Sequence, residues 1–130
     1  MAGLAMKTEA VAEIVRLDAA ATEAELPELA DILVDAVANG ASVNFLAGLG
    51  HDEAAAFWRG QIPAIAEGMR HLFVARQGGQ LVGTVMLTFA PQPNGPHRAE
   101  INKMLVHSSA RRRGIGRRLL EAAEAAALDA

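Results

Sequence analysis

The sequence predicts an α/β fold in which a mixed β-sheet is flanked by helices in a single domain. Three observations carry this. Residues 71–89 read as two strands joined by a Gly-Gly turn. Residues 26–37 place apolar side chains at helical spacing. Residues 98–130 read as a strand, a short glycine-bearing loop and an amphipathic helix. A chain of 130 residues is the size of one domain. Hydrophobic residues make up 52%, enough for a packed core, and with aromatics at only 4% that core must be built from Leu, Val, Ile, Ala and Met.

Each element has a local reason. Met1–Thr8 is small and polar, a frayed start. Val11–Leu17 reads as a first strand, and Asp18–Glu23 as a connection. A helix begins around Glu25–Pro27, where proline is tolerated in the first turn. It buries Leu26, Leu29, Ala30, Leu33 and Val37 and ends at Asn39-Gly40. After a loop over residues 41–50, His51-Asp52-Glu53 starts a second helix, with its acidic residues at the positive end of the dipole. Phe57, Trp58, Ile62 and Ile65 are its apolar residues, and Pro63 is expected to kink or break it. His71–Gln77 and Gln80–Phe89 form the hairpin around Gly78-Gly79. Ala90–His97, with three prolines, is a surface loop; Arg98–Val106 is the next strand and Gly114–Ala130 the last helix. That helix is expected to bury Ile115, Leu119, Ala122, Ala123 and Ala126 and to turn Glu121 and Glu124 to water.

Composition excludes several classes. There is no cysteine, so disulfides, thiol catalysis and cysteine metal sites are absent. The four histidines show no paired ligand spacing, so no metal is expected. A net charge of −3 argues against general nucleic-acid binding. A helix-turn-helix reading of the arginine run fails for the same reason and because strands precede it. No basic-then-apolar leader and no membrane span are read, which makes cytoplasmic the default expectation.

The chemistry concentrates in Arg111-Arg112-Arg113-Gly114-Ile115-Gly116-Arg117. The first N–H groups of a helix lack intrahelical partners, and the dipole places positive charge there. Glycine lets a phosphate approach the backbone closely, and the arginines add charge. A P-loop would need a Gly-Lys-Ser/Thr run, which does not occur. A dinucleotide fingerprint would need a third glycine where Leu119 stands. A glycine-capped basic helix start that binds nothing is the competing reading, disfavoured because helix propensity argues against two glycines there.

Arg111-Arg112-Arg113-Gly114-Ile115-Gly116, following an apolar strand, resembles the acetyl-coenzyme A motif of the GNAT N-acetyltransferase superfamily. Ala41–Asn44, Ala54–Trp58 and Pro96–Glu100 are also similar to a narrower group that includes the tabtoxin-resistance acetyltransferase. The order of elements matches the first two-thirds of the family fold. A complete family domain continues with another parallel strand, a helix and a final strand pair, so the resemblance implies a C-terminally incomplete, GNAT-like domain. The free edge of the Arg98–Val106 strand is then expected to be capped by another chain, as a homodimer or by strand exchange.

The resemblance implies acetyl-CoA as co-substrate, held by Met104, Leu105, Val106 and the residues from Arg111 to Arg117. Acetyl transfer to an amine needs a polarised thioester carbonyl, a proton acceptor and close positioning. By resemblance the Met104 N–H, freed by an irregular strand, polarises the carbonyl, while Leu105 and Val106 pair with the pantetheine arm. Glu100 is the candidate base, expected to be partly buried near the cleft. The competing reading is a strand-end glutamate paired with Arg98 or Lys103. Asn44, Phe45, Trp58 and His97 are placed at the acceptor, with core packing the first role of Trp58 and a structural role the expectation for His107. Many members use a tyrosine as general acid, and this chain has none. Three functions stay open: acetylation of a small-molecule amine, acetylation of a protein N-terminus or lysine, and an inactive coenzyme-binding fragment or scaffold.

Overall fold

The structure, a computed structural model, describes residues 12–40, 48–90, 98–110 and 114–129. Strands β1 (Glu13–Leu17), β2 (Arg70–Gln77), β3 (Gln80–Ala90) and β4 (Arg98–Val106) form one sheet in the order β1-β2-β3-β4. All three pairings are antiparallel. The β2–β3 turn is made by Gly78 at φ 61° and Gly79 at φ 84°, a left-handed pair that glycine adopts without steric cost.

The helices are α1 (Ala19–Ala24), α2 (Leu26–Ala38), α3 (His51–Arg59), α4 (Ile62–Ala66) and α5 (Ile115–Asp129). α1 replaces the connection expected over Asp18–Glu23. Its cause is local: the Asp18 carboxylate accepts from the Ala21 N–H at 2.8 Å and caps an alanine-rich turn. The interruption expected at Pro63 falls earlier, at Gly60-Gln61, and Pro63 sits in the first turn of α4 instead. A proline lacks only an N–H that is unpaired in the first turn anyway, so it begins a helix more readily than it interrupts one.

Each sheet face is covered. On one, the stripe of α2 (Leu26, Leu29, Ile32, Leu33, Ala36) packs with Trp58 of α3 on Leu17, Leu72, Val74 and Leu105. On the other, Ile115, Leu119 and Ala123 of α5 pack on Ala75, Val82 and Val85. Glu121 and Glu124 face water as expected, while Ala122 and Ala126 are only partly covered. Gly83 sets the spacing of that second layer. A Cβ there would come within 2.9 Å of Leu119 Cδ1 and 3.2 Å of Ile115 Cγ2. Among the described residues no helix is long and apolar enough to cross a membrane.

Candidate active site

The site begins with a fault in β4. Thr84 pairs with Leu105 and Met86 with Asn102, so Lys103 and Met104 together face the single residue Val85. This is a β-bulge, two residues against one. Lys103 lies at φ 52°, the one described non-glycine residue in the left-handed region, where a β-carbon is crowded. Two contacts hold it there. The Thr84 hydroxyl, fully buried, donates to the Lys103 carbonyl at 2.8 Å. The Lys103 ammonium stands 5.2 Å from the ring centre of Phe57 in α3, a cation–π contact.

The bulge sets which peptide groups face outward. His107 N–H donates to Val82 O at 2.8 Å, which makes Gly83–Val106 a non-hydrogen-bonded pair. The neighbouring residue Leu105 therefore turns its peptide groups to β3. Its carbonyl lies 3.1 Å from where a Gly83 Cβ would sit. Met104, one step back, turns its N–H away from β3 toward the outer edge. Its side chain is 37% exposed. Of the residues expected to line a coenzyme arm, Leu105 thus points its backbone inward and buries its side chain among the α2 stripe.

Glu100 is four residues before Met104, opposite Thr88 on β3. It is exposed, in contrast to the expected partial burial, because among the described residues no helix lies across its end of the strand closely enough to cover it. It makes no ion pair among the described residues, and the alternative partner Lys103 is engaged by Phe57. The register also aligns Arg70 of β2 with Thr88, so Arg70, Thr88 and Glu100 form a row across one face. Arg70 donates to the Gln61 side chain, whose amide donates in turn to Phe57 O at 3.1 Å. α3 and α4 therefore stand over the same face as Glu100.

Trp58 is fully buried, in keeping with its expected packing role, and meets Phe57 edge-to-face at 5.1 Å. The other expected acceptor residues (Asn44, Phe45 and His97) lie outside the described residues, as do Arg111, Arg112 and Arg113. So do Ala41–Asn44 and Pro96-His97 of the narrower resemblance. Phe57, Thr84 and Thr88 belong to this arrangement although sequence reasoning gave them no place at the site, and Lys103, read there only as a partner for Glu100, is the residue in left-handed conformation. A threonine in a strand carries no signal of its hydrogen-bond partner, and nothing in Asn102-Lys103-Met104 marks a bulge.

At the far end of β4 the glycine loop enters α5. Gly114 has φ 75°, a conformation that glycine adopts freely. Gly116 lies against Val106, with a Cβ position 3.7 Å from Val106 Cγ2. Ile115 is buried and Arg117 exposed. The start of α5 thus presents backbone and charge outward while its first apolar residue anchors it. Asp35 of α2 ties down the preceding turn, accepting from Ser108 N–H at 2.8 Å and from Ser108 Oγ at 2.7 Å. His107 Nδ1 lies 2.9 Å from Ser109 Oγ. Beside this turn is a cavity of about 170 Å³ lined by Glu28, Asp31, Gln80, Leu81, His107 and Ser109.

Residues 45–130 match the model of the acetyltransferase (GNAT) family. This chain belongs to that family. The fold agrees with solved members. A GCN5-related N-acetyltransferase from Ralstonia eutropha superposes with a TM-score of 0.62 at 23% identity, covering 91% of this chain and 76% of that one. A ribosomal-protein-alanine N-acetyltransferase from Brucella melitensis gives 0.64 at 19% identity, covering 91% and 72%. A predicted acetyltransferase with acetyl-CoA from Clostridium acetobutylicum gives 0.62 at 15% identity, covering 91% and 74%. The family's chemistry is acetyl transfer, and its acetyl donor is acetyl-CoA.

Proposed function

We propose that this GNAT chain is an N-acetyltransferase that moves the acetyl group of acetyl-CoA to the amine of a small molecule. One observation carries the reading: the bulge at Lys103–Met104 turns the Met104 N–H to the outer edge of β4, four residues from the carboxylate of Glu100. In this reading acetyl-CoA lies along that edge, with its pyrophosphate at Gly114–Gly116 and the arginines around them. The Met104 N–H donates to the thioester carbonyl and stabilises the oxyanion that forms on it. The amine nitrogen attacks the carbonyl carbon, the C–S bond breaks, and the acetyl group stays on nitrogen. Glu100 takes the amine proton, and the departing coenzyme A thiolate takes up a proton from solvent.

Helices α3 and α4, tied to the Arg70 end of the row through Gln61, stand on the same face beside Glu100, and this supports a small acceptor. Acetylation of a protein N-terminus or lysine is the second reading, because the same fold serves an enzyme named for a ribosomal-protein alanine. A cytoplasmic location belongs to the proposal, in keeping with a chain free of cysteine. The test is thiol release from acetyl-CoA in the presence of a panel of primary amines and peptides. Glu100→Gln should lower kcat by about 10²–10⁴-fold, the range for losing a general base. Binding of acetyl-CoA in a calorimeter with no thiol release from any amine would instead support a coenzyme-binding scaffold.

A further inference from the structure

Thr88, like Trp58 and His71, carries a buried polar atom that finds no partner among the described residues, and of the three it is the one opposite Glu100. Its hydroxyl is buried and finds no hydrogen-bond partner among the described residues. A buried hydroxyl without a partner costs stability, so a threonine retained in that state invites a reason outside the resting fold. Its place supplies one. Thr88 is directly opposite Glu100 on the neighbouring strand. Side chains so paired share a face, with Cβ atoms about 4.5–5.5 Å apart. A glutamate side chain folding back over its own strand reaches a hydroxyl at that distance.

We propose that Thr88 is a positioning residue for the base: its hydroxyl donates to the Glu100 carboxylate when the acceptor amine is bound and fixes the carboxylate toward the bulge. The inference rests on the reading of Glu100 as base. The proton of Thr88 stays on Thr88; the second carboxylate oxygen takes the proton of the amine. Of the other charged groups nearby, Arg70 on β2 lies one strand beyond Thr88 in the same row, and Lys103 on β4 itself has its ammonium over Phe57. The neighbouring parts of α3 and α4 contribute the neutral Phe57 and Gln61. Thr88 is thus the hydroxyl next to Glu100 in a row that otherwise supplies cations.

The experiment compares Thr88→Val, which keeps the shape and removes the hydroxyl, with Thr88→Ser, which keeps the hydroxyl. Tm, kcat as a function of pH, and the titration of the Glu100 carboxyl followed by carbon NMR with the acceptor amine bound and acetyl-CoA left out are measured for both, with Glu100→Gln assigning the resonance. Thr88→Val is expected to hold or raise Tm, because an unpartnered polar group is replaced by a methyl. It should lower kcat about tenfold with KM little changed and move the acid limb of the pH profile upward, since a donor to the charged carboxylate is lost. Thr88→Ser should restore both. In a Glu100→Gln background the valine change should cost nothing more. Equal losses in either background, or an unshifted Glu100 titration, overturn the proposal. If Glu100→Gln itself leaves the rate intact, the reading of the base fails instead.

Discussion

Thr84 shows how one hydroxyl can hold a strand irregularity in place. It is fully buried and donates to the carbonyl of Lys103, the residue in left-handed conformation. Thr84→Val should leave that carbonyl unpaired at the bulge and cost about 1–3 kcal/mol, read as a lower urea midpoint at unchanged slope. If the proposed role of the Met104 N–H is right, the same variant also loses kcat, because the donor is no longer aimed. His71 gives a pH prediction. Burial, and then the positive charge of Arg16, lowers its pKa below the usual 6.5. Its ring lies between Phe73 and Phe89, at 6.3 and 5.0 Å. The unfolded chain therefore takes up a proton before the folded one does. The neutral histidine's stabilisation is complete above 6.5 and is lost as pH falls below it. Denaturation on either side of that value should show the slope, and His71→Phe should flatten it.

At the scale of elements, α5 is positioned by what Gly83 lacks. The strand passes so close beneath Leu119 and Ile115 that a methyl at Gly83 must displace a side chain or the Leu105 carbonyl, 3.1 Å away. Gly83→Ala should destabilise by about 1–3 kcal/mol as overpacking does, and Leu119→Ala by about 2–5 kcal/mol through the cavity left. Thermal melts of the two single variants and the double variant test this. A double variant costing much less than the sum would confirm that the two residues share one space. Because α5 begins at Gly114–Gly116, its displacement would also move the proposed pyrophosphate site, and acetyl-CoA affinity should fall in Gly83→Ala. The stripes of α2 and α5 were legible because a 3.6-residue period is written directly in the chain. α1 was not, since six residues make too short a window to show a period and the Asp18 cap decides them.

For the whole molecule, the sheet order leaves β4 with one neighbour, β3, among the described strands. Exposed strand edges recruit partners, and Ile101 and Met104 on this edge are each 37% exposed. We propose a homodimer or strand-exchanged form for this chain. Light scattering should give twice the 13.6 kDa of one chain, and a stable monomer at high concentration would contradict it. Acetyl-CoA lying along the same edge should compete with such pairing, so saturating acetyl-CoA is expected to shift the mass toward the monomer.

By itself the sequence determined the α/β class, the hairpin, the two covering helices and the family, through periodicity, Gly-Gly turn chemistry and the Arg-x-x-Gly-x-Gly motif. These are local properties, each fixed within a few neighbouring residues. Tertiary structure alone decided that β4 breaks register at Lys103–Met104, that Thr84 holds the break, and that Thr88 faces Glu100. It also left Glu100 exposed and turned the Leu105 backbone inward. All of these depend on which residue of another strand lies opposite, a relation between positions about 12–20 apart in the chain that no local pattern encodes.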